Sequence, residues 1–151
     1  MRLRDGNRGF ILSFSFLSWL VAAGMFGPAA VSAQDNAATE RGTVVPMDAD
    51  GVQRLSMVLD SYSYKPNHII VQAGHPVELL LTSVTTFTPH NFVLKDEAAG
   101  LSLDADVGAG KKMTLRFTPN QKGIFSFYCD KKLLFFASHR EKGMEGKLEV
   151  R

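Results

Sequence analysis

Beyond Gln53 the apolar residues recur at every second position in short runs, and no long stretch carries the helical period. Leu55, Met57 and Leu59 share one side of the first run. "HIIVQ" follows the turn "KPN", and "AGHP" interrupts the chain before "VELLLTS". In "KKMTLRFT" the alternation is clean, with Met113, Leu115 and Phe117 on one side and Lys112, Thr114 and Arg116 on the other. "HNFVLK", "IFSFYC" and "GKLEV" complete the set, and "PNQKG" reads as a turn. The segment from Asp96 to Gly110, rich in Gly and Asp, reads as irregular. About seven to eight short strands without a convincing long amphipathic helix predict an all-β fold, an antiparallel two-sheet sandwich. A small closed barrel is the alternative.

The first third of the chain follows a different logic. Arg2, Arg4 and Arg8 precede an apolar run from Phe10 to Phe26, which ends in "VSA". That order predicts a secretory signal over residues 1–33, cleaved after Ala33. The run is interrupted by Ser and Gly and falls short of the roughly 20 apolar residues of a membrane anchor. Residues 34–53, polar and small, read as a flexible mature N-terminus, and residues 54–151 as the folded domain. Losing the leader removes Arg2, Arg4, Arg8 and Asp5, so 17 basic and 15 acidic residues become 14 of each. A neutral mature chain excludes the basic footprint of a nucleic-acid binder. Export also sharpens the meaning of Cys129, the single cysteine. It cannot form an internal disulfide, and in an oxidising compartment a lone thiol has to be buried or ligated.

Strand parity addresses that thiol. In "IFSFYC", Phe125, Phe127 and Cys129 fall on one face, and in "HNFVLK" His90 shares its face with Phe92 and Leu94. A thiol and an imidazole thus point inward from strand ends, and a buried imidazole needs a partner. His139 and Met144 follow Cys129 in the last loop. Two imidazoles, one thiolate and one thioether form a soft donor set that selects copper cycling between Cu(I) and Cu(II). Zinc favours four strong ligands, and iron–sulfur clusters need more thiolates. His68 and His75, at turn edges, read as solvent-facing, and Asp104 and Asp106 as loop-shaping residues.

From about Tyr64 to Val150 the sequence resembles the cupredoxins, the small blue copper proteins of the plastocyanin and azurin type. The stretches that carry the resemblance are "KPNHIIVQAGHPVELLLTS", "PHNFVL", "KKMTLRFTPNQKGIFSFYCD" and "HREKGMEGKLEV". The resemblance implies a Greek-key sandwich holding one type 1 copper ion. It implies that His90, Cys129 and His139 are ligands, that Met144 is the axial ligand, and that Asn91 braces the ligand loops. Its backbone N–H would then reach the thiolate sulfur. One departure is plain: nine residues separate Cys129 from His139, where familiar members have two to four. The extra piece contains Leu133, Leu134, Phe135 and Phe136, an apolar docking patch if exposed and a cap if folded inward. The expectation is a periplasmic, monomeric electron carrier, not an enzyme. It would meet redox partners transiently through that loop and have no membrane span after cleavage. Copper trafficking or sensing, or redox service to a metal-uptake system, is the alternative.

Overall fold

The alternating runs settle into two sheets in the computed structural model, which describes residues 42–151. The larger sheet runs in the order β1 (Thr43–Val44), β4 (His68–Val71), β10 (Glu145–Val150), β9 (Gly123–Tyr128), β6 (His90–Asp96) and β7 (Leu101–Val107). The smaller runs β3 (Ser63–Lys65), β2 (Gln53–Asp60), β5 (Val77–Ser83) and β8 (Lys112–Phe117). The inner faces meet across one core. Met57, Leu59, Leu79, Leu81, Leu115 and Phe117 come from the smaller sheet, and Ile69, Val71, Phe92, Leu94, Phe127 and Leu148 from the larger. The period of two produces this division, because successive side chains point to opposite faces of a strand.

β6 departs from simple alternation. Its first five residues, His90 to Leu94, are all buried. Val93 and Asn91 therefore lie on the far face of the sheet yet remain covered, so the strand is enclosed on both faces where it carries His90. Gly146 is needed for close approach. It lies opposite Phe127 in the β9–β10 ladder, and a Cβ there would collide with the Phe127 ring and the Asn67 carbonyl.

The strands number about ten among the described residues, not seven to eight, and three explain the difference. β7 occupies the stretch expected to be irregular. Its Leu101, Leu103, Ala105 and Val107 alternate inward, against Ser102, Asp104 and Asp106 facing out. An edge strand tolerates such small and acidic residues, and charged edges discourage pairing between chains. Asp104 and Asp106 are thus strand residues, paired with Lys95 and Lys131. β3 is a three-residue return beside β2. β1 corrects the expected flexible segment for residues 42–53: Thr43–Val44 join β4 in parallel, and Val45 is buried in the core. Burial of Val45 and two ladder pairs outweigh the polar composition that surrounds them. His68 is corrected as well, being half-buried and 3.0 Å from Glu149. The expected signal over residues 1–33 and the tail to residue 41 lie outside the described residues. Among the described residues, no helix is long and apolar enough to cross a membrane.

Candidate metal centre

Strand direction brings distant residues to one end of the sandwich. β6 runs antiparallel to β9, with Val93 opposite Tyr128, and β10 runs antiparallel to β9, with Glu145 opposite Tyr128. The start of β6, the end of β9 and the start of β10 therefore coincide in space. His90 opens β6, Cys129 follows β9, and Met144 immediately precedes β10. His139 lies on the connecting loop, whose close is fixed by backbone bonds. The Met144 N–H donates to the His139 carbonyl at 2.9 Å, and the Cys129 N–H donates to the Met144 carbonyl at 3.1 Å.

One donor atom from each of His90, Cys129 and His139 lies within 4.8 Å of the others, and all three residues are buried. Cys129 Sγ is 3.3 Å from His139 Nδ1, and the two imidazole centroids are 5.1 Å apart. Among the described residues, neither of the buried ring nitrogens of His90 has a hydrogen-bond partner. Such a group is costly to leave unsatisfied, by about 1–3 kcal/mol. Met144, bonded through its backbone to both His139 and Cys129, is fully buried. A cation with affinity for nitrogen and sulfur would satisfy the orphaned imidazole, so the residues present fit a bound metal.

Burial sets the protonation of the cluster. It lowers the pKa of His90, with the neighbouring His139 adding to the effect, and it lowers that of His139, with Lys142 adding. Both rings are thereby kept as neutral donors. Burial raises the pKa of the Cys129 thiol, while the N–H groups of Asn91 and Lys131 oppose that rise. The Asn91 N–H lies 3.4 Å from the sulfur, aimed to stabilise a thiolate.

Asn91 ties the two ligand-bearing strands together. Its Nδ2 donates to Asp130 Oδ1 at 2.8 Å, and the Asp130 N–H returns a bond to Asn91 Oδ1 at 3.1 Å. The buried Tyr64 hydroxyl donates to the Asn91 carbonyl at 2.6 Å. Tyr62 sets its ring edge-on to His139, with centroids 5.0 Å apart. Asp130, Tyr62 and Tyr64 were not reached by sequence reasoning. Only Asp130 carries a local signal, its adjacency to Cys129. Tyr64→Phe leaves the Asn91 carbonyl buried without its donor, and should lower stability by about 1–3 kcal/mol in urea unfolding of the metal-free chain. A loss below about 0.5 kcal/mol would show that this bond is not a structural tie.

The nine-residue insertion lies at the surface. The His139 N–H donates to the Lys131 carbonyl at 2.8 Å, closing the base of the loop, and Phe136 to Leu133 forms a turn at 2.9 Å. Leu133, Leu134, Phe135 and Phe136 are all exposed, Phe135 to 87%. Across from them Phe87 is exposed to 90%. The loop thus presents its apolar residues outward and does not fold over the cluster.

A two-sheet sandwich with two histidines and a cysteine converging between strand ends defines a class of small β proteins with a metal-capable pole. The Cupredoxin-like domain profile matches residues 17–148, and the chain belongs to this cupredoxin-like family. No curated protein sequence matches the chain. Among solved structures, the metal-binding domain of the Cu(I)-exporting P-type ATPase of Streptococcus pneumoniae is similar at 21% identity. That match covers 72% of this chain and 94% of that one, with a TM-score of 0.56. Reduced auracyanin from Roseiflexus castenholzii is similar at 18% identity over 65% of this chain and 96% of that one, with a TM-score of 0.52. A multicopper oxidase is similar at 18% identity over 74% of this chain and 46% of its own length, with a TM-score of 0.57. At these identities the likeness is one of fold.

Proposed function

We propose that the chain is a type 1 copper protein of the periplasm that carries single electrons, with His90, Cys129, His139 and axial Met144 as ligands and Asn91 as their brace. The observation that carries this reading is the His90 imidazole, buried with no hydrogen-bond partner among the described residues and within 4.8 Å of a thiol and a second imidazole. The cupredoxin-like family and the fold shared with auracyanin and with a Cu(I)-bound domain support copper as the occupant. Copper bound there supplies a one-electron change between Cu(I) and Cu(II). The chain's own part is to hold donors still. β6, β9 and the closed loop fix three donor side chains, so little atomic rearrangement accompanies the charge change. The Asn91 N–H and the apolar surroundings of Cys129 set how far the sulfur donates, and hence the potential. His139 is the ligand nearest the surface, and the exposed residues 133–136 beside it offer a contact for a redox partner. Transient redox encounters bury little area, so a small patch is sufficient. The chain is read as a carrier and not an enzyme.

Full-length or processed protein loaded with Cu(II) should be blue, with narrow copper hyperfine splitting and a reversible one-electron wave. A colourless product whose Cys129 still alkylates freely would overturn the assignment. The likeness to the Cu(I)-bound ATPase domain favours copper handling as the second reading. Rapid loss of Cu(I) to a competing chelator, with no reversible wave, would favour it. Met144→Leu is expected to retain copper and raise its potential, because loss of a thioether donor destabilises Cu(II) more than Cu(I). An unchanged potential would remove Met144 from the axial position.

A further inference from the structure

Among the described residues only Tyr62 and Leu134 hold a positive φ without being glycine. Leu134 belongs to the exposed insertion, whereas Tyr62 touches the metal cluster. Tyr62 is the second residue of the two-residue turn that joins β2 to β3, where Asp60 pairs with Ser63. Its φ of 68° lies in the left-handed region, which glycine or asparagine fills at lower cost than a bulky aromatic residue. Strain of this kind persists only where the surroundings hold it, and it gathers at functional sites. What surrounds Tyr62 is the segment that carries the loop histidine. The Tyr62 ring meets the His139 imidazole edge to face, with centroids 5.0 Å apart and planes at 72°. From the same segment the Lys142 ammonium lies 4.4 Å from the centre of the Tyr62 ring and 3.2 Å from its hydroxyl. The Lys142 N–H donates to the carbonyls of Ser138 and His139, both at 3.1 Å, which ties the two contacts on Tyr62 together.

We propose that Tyr62 is a positioning residue for copper: its ring closes on the His139 imidazole and keeps this ligand turned toward Cys129 and His90. The role rests on the copper reading of the pole and adds what governs retention of the ion. His90 opens a strand and Cys129 directly follows one, whereas His139 sits on a loop lengthened by the insertion. Backbone bonds to Lys131 and Met144 fix where that loop closes, but they leave the His139 side-chain torsions free. Tyr62 supplies the missing restraint from the other sheet, so the tie spans both layers of the sandwich. Despite its place on a loop, His139 is only 7% exposed. An edge-to-face contact favours one orientation of the ring, and a ligand whose orientation is held by its neighbours binds metal more tightly. A ring free to rotate would leave His90 and Cys129 to hold the ion.

The test compares Tyr62→Ala, Tyr62→Gly and Tyr62→Phe with the parent as full-length protein. Alanine and glycine remove the ring, and each should lower Cu(I) affinity about 10–100-fold in competition with bathocuproine disulfonate, as for other residues that orient metal-bound histidines. Phenylalanine keeps the ring and loses only a surface hydrogen bond to Lys142, so its affinity should stay close to that of the parent. In the metal-free chain the His139 ring proton signals should be sharp in the parent and in Tyr62→Phe. They should broaden or shift in the two truncations at a temperature where all four proteins are folded. Tyr62→Gly should melt above Tyr62→Ala, because glycine accepts a φ of 68° without the strain a Cβ brings. Stability and copper retention would then vary independently, which a purely structural role does not allow. Parent-like affinity and unmoved ring signals in both truncations would overturn the role. A phenylalanine variant as impaired as the alanine one would overturn the ring contact as its basis, and a glycine variant melting below alanine would overturn strain at the turn. Altered His139 signals in a chain that binds no copper would sink the copper reading and leave the Tyr62–His139 tie standing. Copper bound with parental affinity by every variant would do the reverse.

Discussion

Cys129→Ser is expected to abolish the visible absorption of the copper-loaded chain while both sheets remain folded. Sulfur is the one soft anionic donor in the cluster, and a serine hydroxyl at the same place is neutral and hard. The imidazoles of His90 and His139 alone would then hold Cu(II) weakly, and without the sulfur's contribution to its colour. Folding should survive for a structural reason. Cys129 sits at the edge of a core built from both sheets, and the new hydroxyl would have partners at hand: the Asn91 N–H, 3.4 Å from the present sulfur, and His139 Nδ1 at 3.3 Å. The cost to the metal-free chain should be about 1–2 kcal/mol, small beside the 5–15 kcal/mol typical of a domain. Absorption spectra of the loaded variant, set beside far-ultraviolet circular dichroism of the metal-free one, separate the two halves. Retained blue colour would mean that the thiol is not a ligand. A collapsed spectrum in the far ultraviolet would mean that the thiol is a structural core residue before it is anything else.

Parity in "HNFVLK" and "IFSFYC" is a local property, so it pointed His90 and Cys129 inward without any knowledge of pairing. Their meeting is not local. It depends on β6 and β9 running antiparallel in adjacent positions, a fact of topology that 38 residues of intervening chain conceal. The family resemblance filled that gap where periodicity could not. The same limit explains Tyr64 and Asp130: each acts through Asn91, a residue far away in sequence, and neither stands out by type. β7 was hidden differently. Its inward residues Leu101, Leu103, Ala105 and Val107 alternate well enough, but two Asp and flanking Gly residues imitate a loop. Only the edge position, where outward charges are harmless, resolves the contradiction. The conformation of the insertion followed from neither route. "LLFF" is apolar enough to fold inward, and the closure of the loop base by His139 and Lys131 leaves it outside.

Phe127→Ala should be the most damaging single truncation in the fold, and its effect should reach the metal cluster. The ring is fully buried, stacked on Phe92 with centroids 4.9 Å apart and set edge-to-face against Tyr64 at 5.2 Å. Tyr64 in turn packs on Phe92 at 5.9 Å, so the three rings form one closed aromatic unit beneath the cluster. Removing the central ring loses its burial and leaves a void that rigid strands on either side cannot close. The expected cost is about 3–5 kcal/mol, as for other large aromatic truncations. With a urea slope of about 1–3 kcal/mol per molar, the midpoint should fall by more than about 1 M with the slope unchanged. The coupling to the cluster runs through Tyr64. Once its neighbour is gone the ring is free to tilt, its 2.6 Å bond to the Asn91 carbonyl loosens, and the Asn91 N–H loses its aim at Cys129. The metal-free variant should therefore expose its thiol to alkylation faster than the parent, even in buffer where both are fully folded. Phe92 packs on the same tyrosine at the longer centroid distance of 5.9 Å, and leucine keeps an apolar side chain there, so Phe92→Leu should cost stability with a smaller change in alkylation rate. Equal thiol reactivity in Phe127→Ala and the parent, at matched folded fraction, would show that the aromatic unit supports the sandwich alone and not the geometry around Cys129.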